Sequence, residues 1–432
     1  MKTPKRLLNK DFFLLWQGQA VSMMGSNVFA IAMVFWVKHA TGSAALIGLM
    51  LMASSIPAVL FGTIGGAFAD RYSRRNIILI SDFVNGFAVV ILAILIYLFP
   101  DMTGMLIAAL LLTSILIGIT SAFFQPAFSA SIPELVPAEK VATANSLGQI
   151  SLQLSMFVGQ GLGGVLFRIL GAPLLILFNG LSYLFSGVSE SFITIPQEIP
   201  QKGKDWKDLL SKFKLEVIEG FRYIWAAAGL KKLVLLSSFL SFFMMPIIVL
   251  LPFYVENYLK VTADWYGFLL ALYGIGSLVG SVTAGLIKLD GKKRGHSMIA
   301  LMIFESVLYG SLGLVNNTYQ AMVLAISSGM MSGFILINVT TLLQLTTPTR
   351  IRGRVFGFLA TLSGGLSPLG MGLGGVIFDM TGQNIPVIYI GCGVIMALLT
   401  LVVSASTDFR KYLAYVIEGK TADIDMETAG SK

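Results

Sequence analysis

The chain has 432 residues, 56% of them hydrophobic and only 12% charged, with a mean hydropathy of +0.82. That composition excludes an ordinary soluble globule and points to a membrane protein. The formal net charge of +8 is spread over separate segments rather than gathered on one basic face with stacking aromatics, so a nucleic-acid partner is not expected.

In chain order, twelve apolar runs reach the roughly 20 residues needed to cross about 30 Å of hydrocarbon. They cover 12–37, 45–69, 77–99, 103–128, 143–167, 173–194, 231–256, 264–287, 297–316, 319–345, 352–378 and 385–404. All are expected to be helical, because hydrocarbon offers no partner to an exposed backbone group. The expected fold is an all-α membrane protein of twelve transmembrane helices in two six-helix bundles. The first bundle occupies 1–200, a linker 201–230, the second bundle 231–404 and a tail 405–432. Met1 to Lys10 is basic but too short and polar for a signal peptide, so the first run is expected to be a retained span.

Charge predicts orientation through the excess of Lys and Arg in cytoplasmic loops. With these spans, 27 of the 30 basic residues fall on one side, and only Lys38, Arg168 and Lys260 on the other. Both termini and the linker are therefore expected to be cytoplasmic. The linker part from Trp206 to Tyr223 has apolar residues at helical spacing and is expected to lie along the membrane surface.

The halves repeat each other. Gly161-Leu162-Gly163-Gly164-Val165-Leu166-Phe167-Arg168-Ile169-Leu170-Gly171 matches Gly372-Leu373-Gly374-Gly375-Val376-Ile377-Phe378-Asp379-Met380-Thr381-Gly382 at seven of eleven positions, at an offset of 211. This places the fifth span over the eleventh in a parallel repeat. The glycines also fit G-x-G-x-x-G, but they lie inside apolar helices rather than after a strand, so close helix packing is the reading and no dinucleotide cofactor is expected. No other cofactor and no metal is implied. Cys392 is a lone residue in an apolar run, and His39 and His296 read as solvated loop residues without a triad or metal spacing, which argues against an enzyme.

Between spans two and three, Gly65-Gly66-Ala67-Phe68-Ala69-Asp70-Arg71-Tyr72-Ser73-Arg74-Arg75 resembles the signature loop of the major facilitator superfamily of secondary transporters. Thr41 to Ala44, Phe123 to Ala127, Pro133 to Pro137 and Ala144-Asn145 resemble the bacterial branch that includes macrolide-efflux and enterobactin-export proteins. The resemblance implies a multi-pass exporter of the bacterial inner membrane. It implies alternating access, with spans 1, 4, 7 and 10 lining a central cavity, and a drug or macrolide-like small molecule moved by a proton or other ion gradient. A monomer in the lipid bilayer is expected. Export of one endogenous compound, such as a siderophore or a lipid, is the alternative, and a non-transporting receptor or scaffold the alternative of another class. Gln160 stands where antiporters of the superfamily usually carry proline, which puts the antiporter assignment in doubt.

Gly65 and Gly66 allow a close helix approach, and Asp70, Arg71, Arg74 and Arg75 are expected to latch onto the start of span 11 near Arg352 when the transporter faces outward. Asp82 either joins this gating cluster or is a satisfied polar residue near the interface. Intramembrane acids are costly and so functional candidates by default. Glu305 lies mid-span in the ninth helix and either carries protons or pairs structurally, while Glu256 and Asp11 at span ends are the further coupling candidates. Substrate-binding candidates are Gln19, Ser22, Met23 and Asn27 on span 1, Phe123, Phe124 and Gln125 on span 4, Phe243, Met244 and Met245 on span 7, and Met331, Asn338 and Gln344 on span 10. Flexible methionines and aromatic faces suit a broad amphipathic substrate, with amides and hydroxyls setting its orientation.

Overall fold

The computed structural model describes residues 7–197, 218–287 and 291–415. Helix α1 (Lys10–Thr41) starts at Asn9, whose side chain accepts the Phe12 N–H at 3.0 Å, and ends at Gly42 with φ 67. Ser43 and Ser73 cap α2 (Ala44–Arg71) and α3 (Arg74–Leu98) in the same way, and α4 (Thr103–Leu135) follows. The expected end of the fourth span at 128 is too early, since α4 runs on through Pro126 and Pro133.

Val141–Ser191 is helical throughout except at Gly171, whose φ of 73 and ψ of 168 suit a residue without Cβ. Gly171 divides the segment into α5 (141–170) and α6 (172–191), with Pro173 near the start of the second arm, where its missing N–H costs no helical bond. The arms are antiparallel, because α1 meets both at one height. Trp16 Nε1 donates to Ser151 Oγ on α5 at 2.9 Å, and Gln17 Nε2 to Ser189 Oγ on α6 at 3.2 Å. The described residues hold eleven helical segments long and apolar enough to cross a membrane, and this folded one supplies two crossings.

Residues 218–226 are helical, while 198–217, with most of the expected surface helix, lie outside the described residues. Then α7 (Ala228–Val249), which contains Pro246, continues through a short turn, Leu251–Phe253, into a π-helical turn, Tyr254–Tyr258. The remaining helices are α8 (Asp264–Leu286), α9 (Gly291–Ser311), α10 (Thr318–Thr346), α11 (Thr349–Met380), α12 (Ile385–Ser404) and the short α13 (Thr407–Leu413). Lys232 docks α13 onto α7 by a 2.9 Å bond to Asp408, and that hydrogen bond holds the exposed Asp408 carboxyl below the usual carboxylate range.

In the first half α1 packs on α5 and α6, α2 on α4, and α3 on α4 and α6. In the second half α7 packs on α11 and α12, α8 on α10, and α9 on α12. The halves meet where α2 packs on α11 and α5 on α8. The face where α1 begins is called the terminal face and the opposite one the distal face. One buried apolar cluster at the distal end draws on both halves, with Phe35, Ile47, Phe253, Tyr254 and Tyr389 among its members. Towards the terminal face the core splits. Phe12, Leu15, Ile78 and Leu135 belong to a cluster of the first half, and Leu233, Met298, Leu342 and Phe409 to one of the second.

Backbone contact at glycine sets the spacing of α8 and α10. A Cβ at Gly329 would lie 2.0 Å from the Tyr273 carbonyl oxygen, whereas one at Gly285 meets nothing within 4 Å. Gly329→Val is expected to cost at least about 1–3 kcal/mol by overpacking, lowering the thermal midpoint of the purified protein. Gly285→Ala is expected to leave that midpoint unchanged or raise it slightly. A Gly329→Val protein as stable as wild type would remove this contact from the account of the fold.

Candidate functional site

The distal ends of the halves are sealed by two copies of one seam. A Cβ at Gly164 of α5 would lie 2.2 Å from the Ala263 carbonyl oxygen at the start of α8, and a Cβ at Gly375 of α11 would lie 2.2 Å from that of Ala44 at the start of α2. Gly267 of α8 meets the Gly161 carbonyl in the same way, and Gly48 of α2 meets that of Met371. The repeated glycines therefore pack one half against the other, which their spacing alone did not specify.

Polar groups bind the same rim. Asp379 at the end of α11 accepts Ser43 Oγ at 2.7 Å and the N–H groups of Ala44 and Ala45 at 3.1 and 2.9 Å. It thus caps α2 from across the seam, where the positive end of the helix dipole favours a carboxylate. Arg168, at the repeat-equivalent position, pairs instead with Asp264 of α8 at 3.1 Å. Lys38 pairs with Glu256, which also meets His39 Nε2 at 2.9 Å, and Lys38 Nζ lies 5.1 Å over the Phe253 ring. Glu256, expected as a coupling group, is thus bound in the distal seal. His39, expected as a solvated loop residue, is exposed but lies in the last turn of α1 beside it.

Beneath the seal, Gln160 Nε2 donates to Asn27 Oδ1 at 3.2 Å, and the Gln160 carbonyl abuts Gly267 across the seam. The residue that replaces the expected proline therefore ties α1 to α5 at the roof of the space between the halves. On α7, the Phe242 carbonyl and the Met245 side chain abut Gly370 of α11, Phe243 lies edge-on to Phe242, and Met244 Sδ lies 3.8 Å from the Tyr309 hydroxyl. Met23 and Phe123 are half-buried, and Phe123 lies edge-on to Phe68.

Several substrate-binding candidates are placed elsewhere. Gln19 and Ser22 are buried, Gln19 donating to Ser186 and Glu190 of α6. Phe124 is buried in the first half and stacks on Phe128. Asn338 donates to Phe334 O of its own helix, while Gln125 and Gln344 are exposed. Met331 lines an apolar groove of about 390 Å³ between α8, α9 and α10. Period and polarity mark which residues stand out along a helix, but not which neighbour each one faces.

At the terminal face the loop after α2 turns inward on its own half. A Cβ at Gly65 would lie 1.9 Å from the Ala122 carbonyl of α4, while Gly66 meets nothing within 4 Å. Arg74 pairs with Glu134 at 2.5 Å and with the exposed Asp70 at 3.7 Å, and Arg75 donates to the carbonyls of Ile193 and Ser191. Across the gap Arg352 donates to Thr347 O, and Arg350 and Arg354 pair with Glu219. Along α11, Gly353, Gly357 and Gly365 meet nothing within 4 Å. The bonds of Asp70, Arg74, Arg75 and Arg352 thus remain within their own halves. Arg71 is half-buried in the same turn.

Asp82 does not join this loop. It is 2% exposed and lies beside Glu190, which is fully buried. Asp11 accepts the Thr194 N–H at 3.1 Å and ties the start of α1 to the segment after α6. Glu305 receives the Tyr309 hydroxyl at 3.2 Å, and the Tyr273 hydroxyl lies 3.3 Å from that of Tyr309 and donates to Ser332 Oγ at 3.0 Å. Glu134 stood out in the sequence only within the Pro133 to Pro137 resemblance, and a carboxylate near a helix end such as Glu190 does not reveal a partner on another helix.

A family model described as transmembrane secretion effector matches residues 4–418. Macrolide efflux protein A of Streptococcus pyogenes is 24% identical over 86% of this chain and 90% of its own length. Multidrug efflux pump Tap of Mycolicibacterium fortuitum is 24% identical over 83% and 87%, and enterobactin exporter EntS of Shigella boydii 24% identical over 80% of each chain. Among solved structures, an inward-facing bacterial homologue of the iron transporter ferroportin aligns with a TM-score of 0.70 at 14% identity, covering 92% of this chain and all of that one. The nucleoside transporter NupG aligns at 0.69 and 13% identity, covering 92% and 98%. At such identities the solved structures speak for the fold alone.

The seal's polar links differ in environment and so in weight. Arg168 is 58% exposed, and its ion pair is worth under about 1 kcal/mol. The Asp379 cap comprises three charge-assisted bonds at a packed seam, and Asp379→Ala is expected to weaken the seal by roughly 1–3 kcal/mol, a 5- to 150-fold shift towards distal opening. Nitroxides on Asp101→Cys and Asn316→Cys in a Cys392→Ser background would report it as a longer distance population. An Arg168→Ala shift larger than that of Asp379→Ala would reverse this ranking.

Proposed function

Because this chain belongs to the transmembrane secretion effector family of major facilitator transporters, we propose that it exports hydrophobic or amphipathic small molecules across a bacterial cytoplasmic membrane by proton-driven alternating access. The observation that carries this reading is the core that is shared at the distal face and split at the terminal face. That arrangement is one end-state of a rocking pair of bundles.

The basic residues of the terminal-face segments support placing that face, and both termini, in the cytoplasm. In that orientation the sealed face is the outer one and the structure is inward-facing. The names of the relatives support efflux, and the Gln160 and Asn27 amides beside the seam, with half-buried Phe242 and Met245 on α7, suit an amphipathic cargo. A siderophore bearing several anionic oxygens would favour a cationic roof. Lys38 and Arg168 are bound in the seal instead.

In the outward-facing state Asp70 is proposed to cap the start of α11, as Asp379 caps α2 at the other end of the same helix pair. The start of α11 carries no side-chain cap in this structure, which supports the exchange. Arg71, Arg74, Arg75 and Arg352 would regroup around it. Glu305 is the proposed coupling group of the second half, because its tyrosine and serine network reaches Met244 on α7.

Purified protein in liposomes with an imposed pH gradient, assayed with fluorescent dyes, macrolides and catecholate siderophores, tests cargo and driving force together. Gradient-dependent flux of dyes and macrolides is expected, and flux of siderophores alone would overturn the cargo assignment. Glu305→Gln is expected to lose net gradient-driven flux while retaining exchange, and unchanged driven flux would remove Glu305 from the coupling role. Asp70→Lys is expected to reduce turnover at least about tenfold, equal to 1.4 kcal/mol, with normal membrane insertion. Full transport by that variant would eliminate the latch.

A further inference from the structure

The first half buries two carboxyl groups against each other. Asp82 on α3 is 2% exposed, and Glu190 on α6 is fully buried. Asp82 lies beside Ser186 and Glu190, so that the two carboxyl groups interact. Glu190 Oε1 also accepts Gln19 Nε2 at 3.1 Å and Ser186 Oγ at 3.3 Å. Asp82 Oδ2 and Glu190 Oε2 are both buried with no hydrogen-bond donor among the described residues.

No cation compensates this pair among the described residues. From α1 the groups presented are Gln19 and Ser26, the latter donating to Tyr183 OH at 2.9 Å. From α6 they are Ser186 and Tyr183, and from α3 Asn85, whose Oδ1 accepts the Thr120 hydroxyl of α4. Arg75, the nearby cation on α3, donates to the carbonyls of Ser191 and Ile193, and Arg74 is bound to Glu134. Two ionised carboxylates in contact and out of water are prohibitively costly, and a hydrogen bond between carboxyl oxygens needs a proton on one of them.

We propose that Asp82 and Glu190 together form a proton-binding site in the first half, holding one exchangeable proton between two carboxyl groups. The proton is carried on a carboxyl oxygen and leaves the pair with one more negative charge when it is released. No bond other than O–H forms or breaks. With half-buried Glu305 in the second half, each bundle then contains an acidic site among its helices. The inference concerns residues that the export reading does not use and stands independently of cargo.

Attenuated-total-reflection infrared titration of the reconstituted protein tests it, reading the C=O stretch of a protonated carboxylic acid as bulk pH is stepped between mildly acidic and alkaline values. The expected result is a reversible, deuterium-sensitive band that persists in Glu305→Gln and is absent from the Asp82→Asn/Glu190→Gln double variant. Carboxyl-labelled aspartate in the unmutated chain should shift part of the band, which keeps the test valid if the double variant does not fold. Identical titrations of wild type and folded double variant, or no effect of the label, would overturn the proposal. So would a band that does not respond to pH, because a locked structural proton does not exchange. Gradient-driven dye flux without the titrating band would leave export standing and remove this site. The band without flux of any panel compound would do the reverse.

Discussion

Everything in this molecule is arranged around the approach of two helix pairs, α2 with α11 and α5 with α8, to backbone contact at glycine. In hydrocarbon the helices gain little from apolar association as such, since lipid tails are as apolar as leucine side chains, so packing must come from close fit. Gly164 and Gly375 provide that fit at equivalent positions, where any Cβ would meet a carbonyl of the other half. The distal seal is then built on backbone contact at glycine, with Phe35 of α1 edge-on to Tyr266 of α8 beside it.

Charges at the rim add direction to this apolar seam. Asp379 completes the start of α2, Arg168 pairs with the first residue of α8, and Lys38 with Glu256 joins α1 to α7. The repeat conserves the geometry of the seam but not its chemistry, since a base in one half occupies the place of an acid in the other. Each solution satisfies a group at the start of the facing helix. The Lys38 pair is the most enclosed of these links, so loss of one partner would strand a charge in a dry site.

Each half also places acids inside its own bundle. Glu305 has a tyrosine donor, whereas Glu190 has Ser186 and Gln19 as donors and Asp82 beside it. Gln19 shows why polarity along a cavity helix is a poor guide to cargo contact. An amide on α1 is as well suited to satisfying a buried carboxyl as to orienting a substrate, and here it does the former.

The sequence alone determined the span count, the parallel repeat and the family, because apolar length, loop charge and the Asp70 to Arg75 turn are local properties. It also marked Gly161 to Gly164 and Gly372 to Gly375 as packing surfaces rather than a cofactor loop. Only the tertiary structure decided that these glycines join the two halves, that Glu256 belongs to the seal and that Asp82 meets Glu190. It likewise decided that Gln160 binds Asn27 and that Gln19 binds Ser186 and Glu190 of α6. The physical reason is common to all of them: each contact joins helices separated by many residues of chain, and it depends on how far each helix is rotated about its axis. Helical periodicity constrains that rotation strongly when one face is polar, and very little when lipid and protein interior are both apolar.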